Sequence, residues 1–439
     1  MPKIVINKLG PVDSCEFEIN DFTLFTGPQA SGKSTVAKSI FFFKNIKNIL
    51  FDQFKKKCLL NNLLEEESAN LPLKKRIERE IRSNFLQIFG TTWCMDAAMK
   101  LEYHYDAAVY VRVSLETKLE FPNYVWLDYS DNLHELIRKL EKITQNESEV
   151  HGDLSLIKEE INKFFKDEAE IVYVPAGRSM ITLLSTQLNY LYSSMDDTQK
   201  KNLDYCTQNY LERILRLKSE FSLSPDQMIK NAIHLTDRKI NRKLLFSAAQ
   251  VMREILQGEY RYIDGEERLQ ISTDRYVKIN FSSSGQQEVL WILNVIFYYL
   301  LNNRKTYFII EEPESHLFPN AQKLIAEFIS MAKNDGKNQM FITTHSPYIL
   351  GTINNLLYAD RISGAVDQSQ LNQIVSSEKR MRFSALSAYF ISRGKVTSCT
   401  DEEFDSIEDE VIDGASRDIN NDYENMILLK EKYFNEEGT

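Results

Sequence analysis

The stretch Phe22-Thr23-Leu24-Phe25-Thr26-Gly27-Pro28-Gln29-Ala30-Ser31-Gly32-Lys33-Ser34-Thr35 decides the reading. Its first five residues are β-branched, aromatic or aliphatic and predict a strand. The VAKSIFFF that follows predicts a helix. Between them, Gly27 to Ser34 match GxxxxGK[ST] in the strand–turn–helix context that gives the motif its meaning. Glycines let the backbone wrap phosphates, and main-chain N–H groups at the start of a helix face the anion. Gly27, Pro28, Gln29, Ala30, Ser31, Gly32, Lys33, Ser34 and Thr35 are therefore the expected phosphate contacts. Lys33 is assigned to the β- and γ-phosphates and the Ser34 hydroxyl to Mg²⁺. Thr35 is a second hydroxyl that also reads as an ordinary helix residue. The ligands implied are ATP and Mg²⁺.

Three later segments extend this site. Thr306 to Ile310 form an apolar strand that ends in Glu311-Glu312. Two carboxylates at the tip of a buried strand are costly unless they meet a cation or polarise water. Glu311 is assigned to the metal, through water, and Glu312 to the attacking water. The usual residue at the metal position is Asp, so the division of roles between the two stays open. A second apolar strand, Gln339 to Thr343, ends in Thr344-His345-Ser346-Pro347. His345 there reaches a γ-phosphate or serves as a structural residue. Lys33, Glu312 and His345 form the expected catalytic set. Finally, Phe281-Ser282-Ser283-Ser284-Gly285-Gln286-Gln287-Glu288 precedes an apolar helix over 289–301. Small hydroxyls and Gly before a helix make a second anion site.

The order of these four motifs resembles the ABC-type ATPase heads of the SMC and RecF group. The resemblance implies an α/β fold, an ABC-type P-loop ATPase head with a mixed sheet and a short helical insertion. It also implies that Ser283, Gly285 and Gln286 contact nucleotide bound to a second copy, so ATP closes a head-to-head dimer or a higher oligomer. SSSGQ departs from LSGGQ at Ser282 and Ser284. GPQASGKST, IIEEPESHLFP and VPAGRS look like the OLD-like bacterial ATPases often labelled AAA-type, and among these like the ATPase subunits of PARIS-type antiphage defence. That likeness implies a sensor ATPase, with a phage protein as trigger and a separate nuclease or toxin as effector. No Glu followed by DxD spacing is evident after Pro347, so nuclease chemistry is expected in the partner. About 247 residues separate Thr35 from Ser283 and include strands, which excludes long coiled-coil arms. Two other readings are carried: a RecF-like repair ATPase acting on DNA, and an ATP-dependent scaffold with slow turnover.

The whole chain has 439 residues and a net charge of −10. Asp401 to Thr439 hold 14 acidic and 3 basic side chains, a net of −11, which leaves residues 1–400 at +1. The total therefore does not argue against nucleic acid, and direct nucleic-acid binding stays open. Hydrophobic residues at 43% and charged residues at 26% exclude global disorder. The expected divisions are 1–179 and 259–400 as ATPase lobes, 180–258 as a helical insertion, and 401–439 as an acidic amphipathic segment. Five scattered cysteines without zinc spacing predict reduced thiols in the cytoplasm. Val289 to Leu301 is too short for a membrane span, which needs about 20 residues, and reads as a buried helix. Lys55-Lys56-Lys57, Lys74-Lys75-Arg76 and Arg238-Lys239 with Arg242-Lys243 read as solvated helix faces or as nucleic-acid contacts. Arg178 either approaches phosphate or pairs with a carboxylate. Gln53 and Gln87 are candidates, by position alone, for the glutamine that such heads carry beside the nucleotide.

Overall fold

Strands buried on both faces read as unbroken apolar runs, whereas strands wetted on one face alternate. Both kinds are present in this computed structural model, which describes residues 1–60, 71–116, 123–145, 154–182, 204–235, 240–408, 414 and 420–430. In chain order the strands of the main sheet are β1 (Lys3–Leu9), β2 (Val12–Glu18), β3 (Phe22–Thr26), β4 (Lys100–His104), β5 (Tyr110–Glu116), β6 (Tyr124–Tyr129) and β7 (Glu170–Val174). A separate antiparallel sheet holds β8 (Glu259–Ile263), β9 (Glu266–Ser272) and β10 (Arg275–Lys278). The main sheet resumes with β11 (Thr306–Glu311), β12 (Gln339–Thr344), β13 (Leu386–Ser392) and β14 (Lys395–Ser398). The helices that matter here are α1 (Lys33–Leu60), α2 (Leu73–Phe89), α3 (Tyr205–Leu217), α4 (Pro225–Leu235), α5 (Arg242–Leu256), α6 (Ser284–Leu301), α7 (Pro319–Asn334) and α8 (Pro347–Arg361).

The main sheet has eleven strands in the order β6-β5-β4-β1-β2-β14-β13-β3-β12-β11-β7. The run β13-β3-β12-β11-β7 is parallel throughout. The run β6-β5-β4-β1-β2 is antiparallel. This is a mixed α/β head. β3 and β11 are buried at every residue, as an inner parallel strand requires. Alternation then sends Phe308 and Ile310 to the core under α6, α7 and α8, and Tyr307 and Ile309 to the core under α1. The apolar run of α6 is buried as expected, with only Tyr298 partly exposed between Val289 and Leu301.

Within EIVYVPAGRS, at 170–179, the strand ends at Val174, as Pro175 requires, because proline has no N–H for the ladder. Strands from residues 1–179 and 306–398 interleave in one sheet, so the two ATPase lobes read from the sequence share a core. Of the insertion, α3, α4 and α5 are helical, and α5 packs into the core of the head. No long coiled coil is present among the described residues. Ile407 is fully buried and exchanges two hydrogen bonds with Asn354 of α8, so the first residues of the acidic segment dock on the head. Residues 420–430 are helical and exposed throughout.

Candidate functional site

The parallel strands β13, β3, β12, β11 and β7 present their C-terminal ends on one edge of the main sheet. β3 ends at Thr26 and α1 starts at Lys33. Between them the chain takes left-handed angles at Gly27 (φ 145°), Ala30 (φ 60°) and Gly32 (φ 111°). A Cβ on Gly27 would stand 2.1 Å from the Ile391 carbonyl oxygen of β13, and one on Gly32 would stand 2.7 Å from Val12 Cγ2. Only glycine lets the loop pass that close to its neighbours. Pro28, Gln29 and Ala30 form the exposed rim. The Ser31 hydroxyl is buried without a partner, an open donor at the inner wall of the cradle. Lys33 Nζ donates to the carbonyls of Gly27 (2.9 Å) and Pro28 (2.8 Å), so the ammonium lies along the loop it would serve. Burial pushes it down to about 8, against the pull of Glu312, Glu314 and Glu311. Thr35 lies under the β1–β2 turn, its Oγ1 3.5 Å from where a Cβ on Gly10 would be.

The carboxylates close the other side. Glu311 is 4% exposed and accepts hydrogen bonds from the Ser34 and Tyr173 hydroxyls. Ser34 and Glu311, both hard oxygen donors, thus meet at the place expected for Mg²⁺. A hydroxyl and a carboxylate suit an ion that keeps most of its own water. Glu312 takes φ 42°, uncommon for a residue with a Cβ, and its N–H donates to the Thr343 carbonyl of β12 (2.9 Å). That turn lifts its side chain out of the strand, to 32% exposed. Glu312 Oε1 is 3.1 Å from His345 Nε2, and His345 Nδ1 is 3.3 Å from Lys33 Nζ. The tautomer with its proton on Nε2 satisfies both contacts. Glu314 holds the histidine from behind: its Oε1 accepts from the His345 N–H and the Thr344 hydroxyl, both at 2.7 Å. Its Oε2 has no partner, and burial raises its carboxyl above the usual range.

Ser283 is the N-cap of α6 and shares a capping box with Gln286. Gln286 Nε2 also donates to the Leu256 carbonyl (2.7 Å), fixing the start of α6 to the end of α5. Ser283 and Ser284 remain exposed. Gly285 is buried, and a Cβ there would stand 2.6 Å from the His316 carbonyl oxygen. The segment after the carboxylates therefore rests on α6 only because residue 285 has no side chain.

Residues 1–350 match the model of an AAA ATPase domain. The chain belongs to that family. Nothing among the curated proteins matches it. Among solved structures it is similar to an SMC head bound to the C-terminal winged-helix domain of ScpA, at 12% identity and a TM-score of 0.41, covering 91% of this chain and 98% of that one. The SMC head domain from Thermotoga maritima gives 10% identity and a TM-score of 0.35 over 91% and 98%. An SMC head with an extended coiled coil, bound to the C-terminal domain of ScpA and from Pyrococcus furiosus, gives 13% and 0.38 over 91% and 96%. The assignment of this AAA ATPase rests on the family match and on its own strand order.

The AAA ATPase thus brings Lys33, Ser34, Glu311, Glu312 and His345 into one cluster. Ser283, Gly285 and Gln286 form their hydrogen bonds elsewhere, at the start of α6. Gln53 lies twenty residues along α1 from Lys33, about 30 Å of helix, and Gln87 belongs to α2. Lys57 is buried against Glu141, Lys74 faces Glu78, and Lys243 meets Glu378. Arg238 and Lys239 fall outside the described residues. Arg178 pairs with a carboxylate, Glu288. No role was read from the sequence for Tyr173, Glu314 or Glu288. A tyrosine in an apolar strand carries no signal of its own, whereas the third acid of Glu-Glu-Pro-Glu was visible without a role.

Proposed function

We propose that this AAA ATPase binds ATP at residues 27–35 and hydrolyses it with Glu312 as the group that orients and deprotonates the attacking water. One observation carries the assignment. Of the three clustered carboxylates, Glu311 and Glu314 are 4% and 8% exposed, whereas the Glu312 side chain is 32% exposed and free to meet a water. Glu311 is engaged by two hydroxyls, and Glu314, although its Oε2 has no partner, is buried behind His345, so neither meets water from the open side of the site. The loop N–H groups and Lys33 face the phosphates, and His345 holds the Glu312 carboxylate against Lys33. Mg²⁺, held by Ser34 and Glu311, would screen phosphate charge.

The second half of the reading is assembly. Four bulky side chains adjacent in sequence to the motifs are exposed: Met180 (67%), Phe281 (80%), Phe318 (74%) and Tyr348 (52%). Joined in one patch, exposed apolar groups of this size would mark a surface that is covered in the working state. With Ser283, Ser284 and the N-terminus of α6 also exposed, the cover proposed is a second copy, its Ser283, Gly285 and Gln286 reaching the nucleotide of the first. By the resemblance of its motifs, the ATP-bound dimer would act in antiphage defence in the cytoplasm, restraining or releasing a separate nuclease or toxin.

Glu312→Gln tests the core of this reading. It should retain bound ATP and form a lasting dimer, while turnover falls by roughly 100-fold or more. Turnover at the wild-type rate would remove Glu312 from the mechanism. Expression beside neighbouring genes tests the defence reading, which fails if none of them encodes a nuclease or toxin.

A further inference from the structure

Arg178 is fully buried, and its guanidinium meets main-chain carbonyls of three segments. Nη1 donates to Pro175 O (2.8 Å) and Glu311 O (2.6 Å), Nη2 to Glu312 O (2.9 Å), and Nε to Glu288 O (2.9 Å). The carboxylate of Glu288 answers in the other direction. Its Oε2 accepts from the Arg178 N–H and its Oε1 from the Ser179 N–H, both at 2.9 Å. Thr182 adds a hydroxyl bond to Gln287 O (2.9 Å). One guanidinium therefore joins the loop after β7, the turn after β11 and the first turns of α6.

Burying both charges completely gives little net stability, because desolvation offsets the attraction. What the pair does supply is geometry, since a planar fork fixes several carbonyls at once where an ammonium cannot. The place fixed matters. Glu312 sits at φ 42°, with its N–H held by Thr343 and its C=O held by Arg178. A residue with a Cβ keeps that angle only when its surroundings impose it. Glu288 is one turn from Ser284, whose end of α6 is exposed.

We propose that Arg178 and Glu288 form a positioning unit that ties the exposed start of α6 to the backbone of Glu312. Contact made at Ser283 and Ser284 then sets the orientation of the carboxylate in the same copy. This inference rests on the proposed function for what makes that contact, but the tie itself is a property of the chain alone.

Hydrogen exchange on the nucleotide-free full chain tests it. In Arg178→Lys, amides of 284–290 and 311–316 should exchange faster together, by roughly tenfold, while those of β3 and residues 32–36 stay as in the wild type. In steady-state assays kcat should fall at least about tenfold with KM within about threefold, a split that general loosening would not give. Glu288→Gln, which keeps the shape and one acceptor, should show the same pattern more weakly and carries the test if Arg178→Lys does not fold. Faster exchange confined to 175–182, or unchanged exchange at 311–316, would overturn the proposal. A wild type without turnover would sink the proposed function and leave the exchange result to decide this inference.

Discussion

Lys33 carries its charge in a place that disfavours charge. Burial holds its ammonium at about 8, below its ordinary 10.5. Between those values the unfolded chain binds more protons than the folded one, so folding gains stability as pH rises through that window. Lys33→Met removes the dependence. The melting temperature of the nucleotide-free wild type should therefore gain on that of Lys33→Met between about pH 8 and about pH 10, and a constant difference would refute the burial argument. The same variant should lose stabilisation by added ATP. At this scale the sequence showed which residues meet in the cluster wherever a motif encodes them, as for Lys33, Ser34 and Glu312. It could not show three of the four carbonyl acceptors of Arg178, which lie 110 and more positions away and leave no mark in side-chain identity.

At the scale of the element, α6 does two things. Its apolar run fills the core, and its first turn supports the segment that follows the carboxylates. Gly285 is the point where the two backbones touch. Gly→Ala in a helix ordinarily gains about 1 kcal/mol. Here the new Cβ would stand 2.6 Å from a backbone oxygen of His316, so the clash wins. Gly285→Ala should lower the melting temperature and turnover together. A more stable and fully active variant would mean that residues 313–318 yield freely. The elements themselves were legible: the apolar run over 289–301 lies inside helix 284–301, and strands 306–311 and 339–344 each run one residue past the apolar runs 306–310 and 339–343. Their neighbours were not. That β7 flanks β11, and so delivers Tyr173 to Glu311, depends on pairing across more than 130 residues, which no local pattern specifies.

For the whole molecule, the surface carries the prediction. Phe281 and Phe318 are exposed and make little of the core, so Phe281→Ser with Phe318→Ser should leave the melting temperature within about 2 °C of the wild type. The pair should abolish the ATP-dependent dimer in light scattering. A dimer that persists would place the interface elsewhere. The acidic segment divides in a way that charge alone did not reveal. Ile407 anchors its start in the head, while Tyr423, Met426, Leu428 and Leu429 are exposed on the helix at 420–430. Leu428→Ser with Leu429→Ser should therefore leave thermal stability unchanged, and a clear loss would show that this helix packs on the head in solution.

The interleaved sheet also sets a timetable. β3 is made more than 300 residues before its two neighbours, β12 and β13. At about 5–20 residues per second, a strand of Phe22, Leu24 and Phe25 waits tens of seconds on the ribosome with both edges open. Until Ile391 emerges, the carbonyl that Gly27 packs beneath is missing. The proposed nucleotide site is thus completed only after residue 391 is made, and a product terminated before it would compete neither for ATP nor for a place in the proposed dimer.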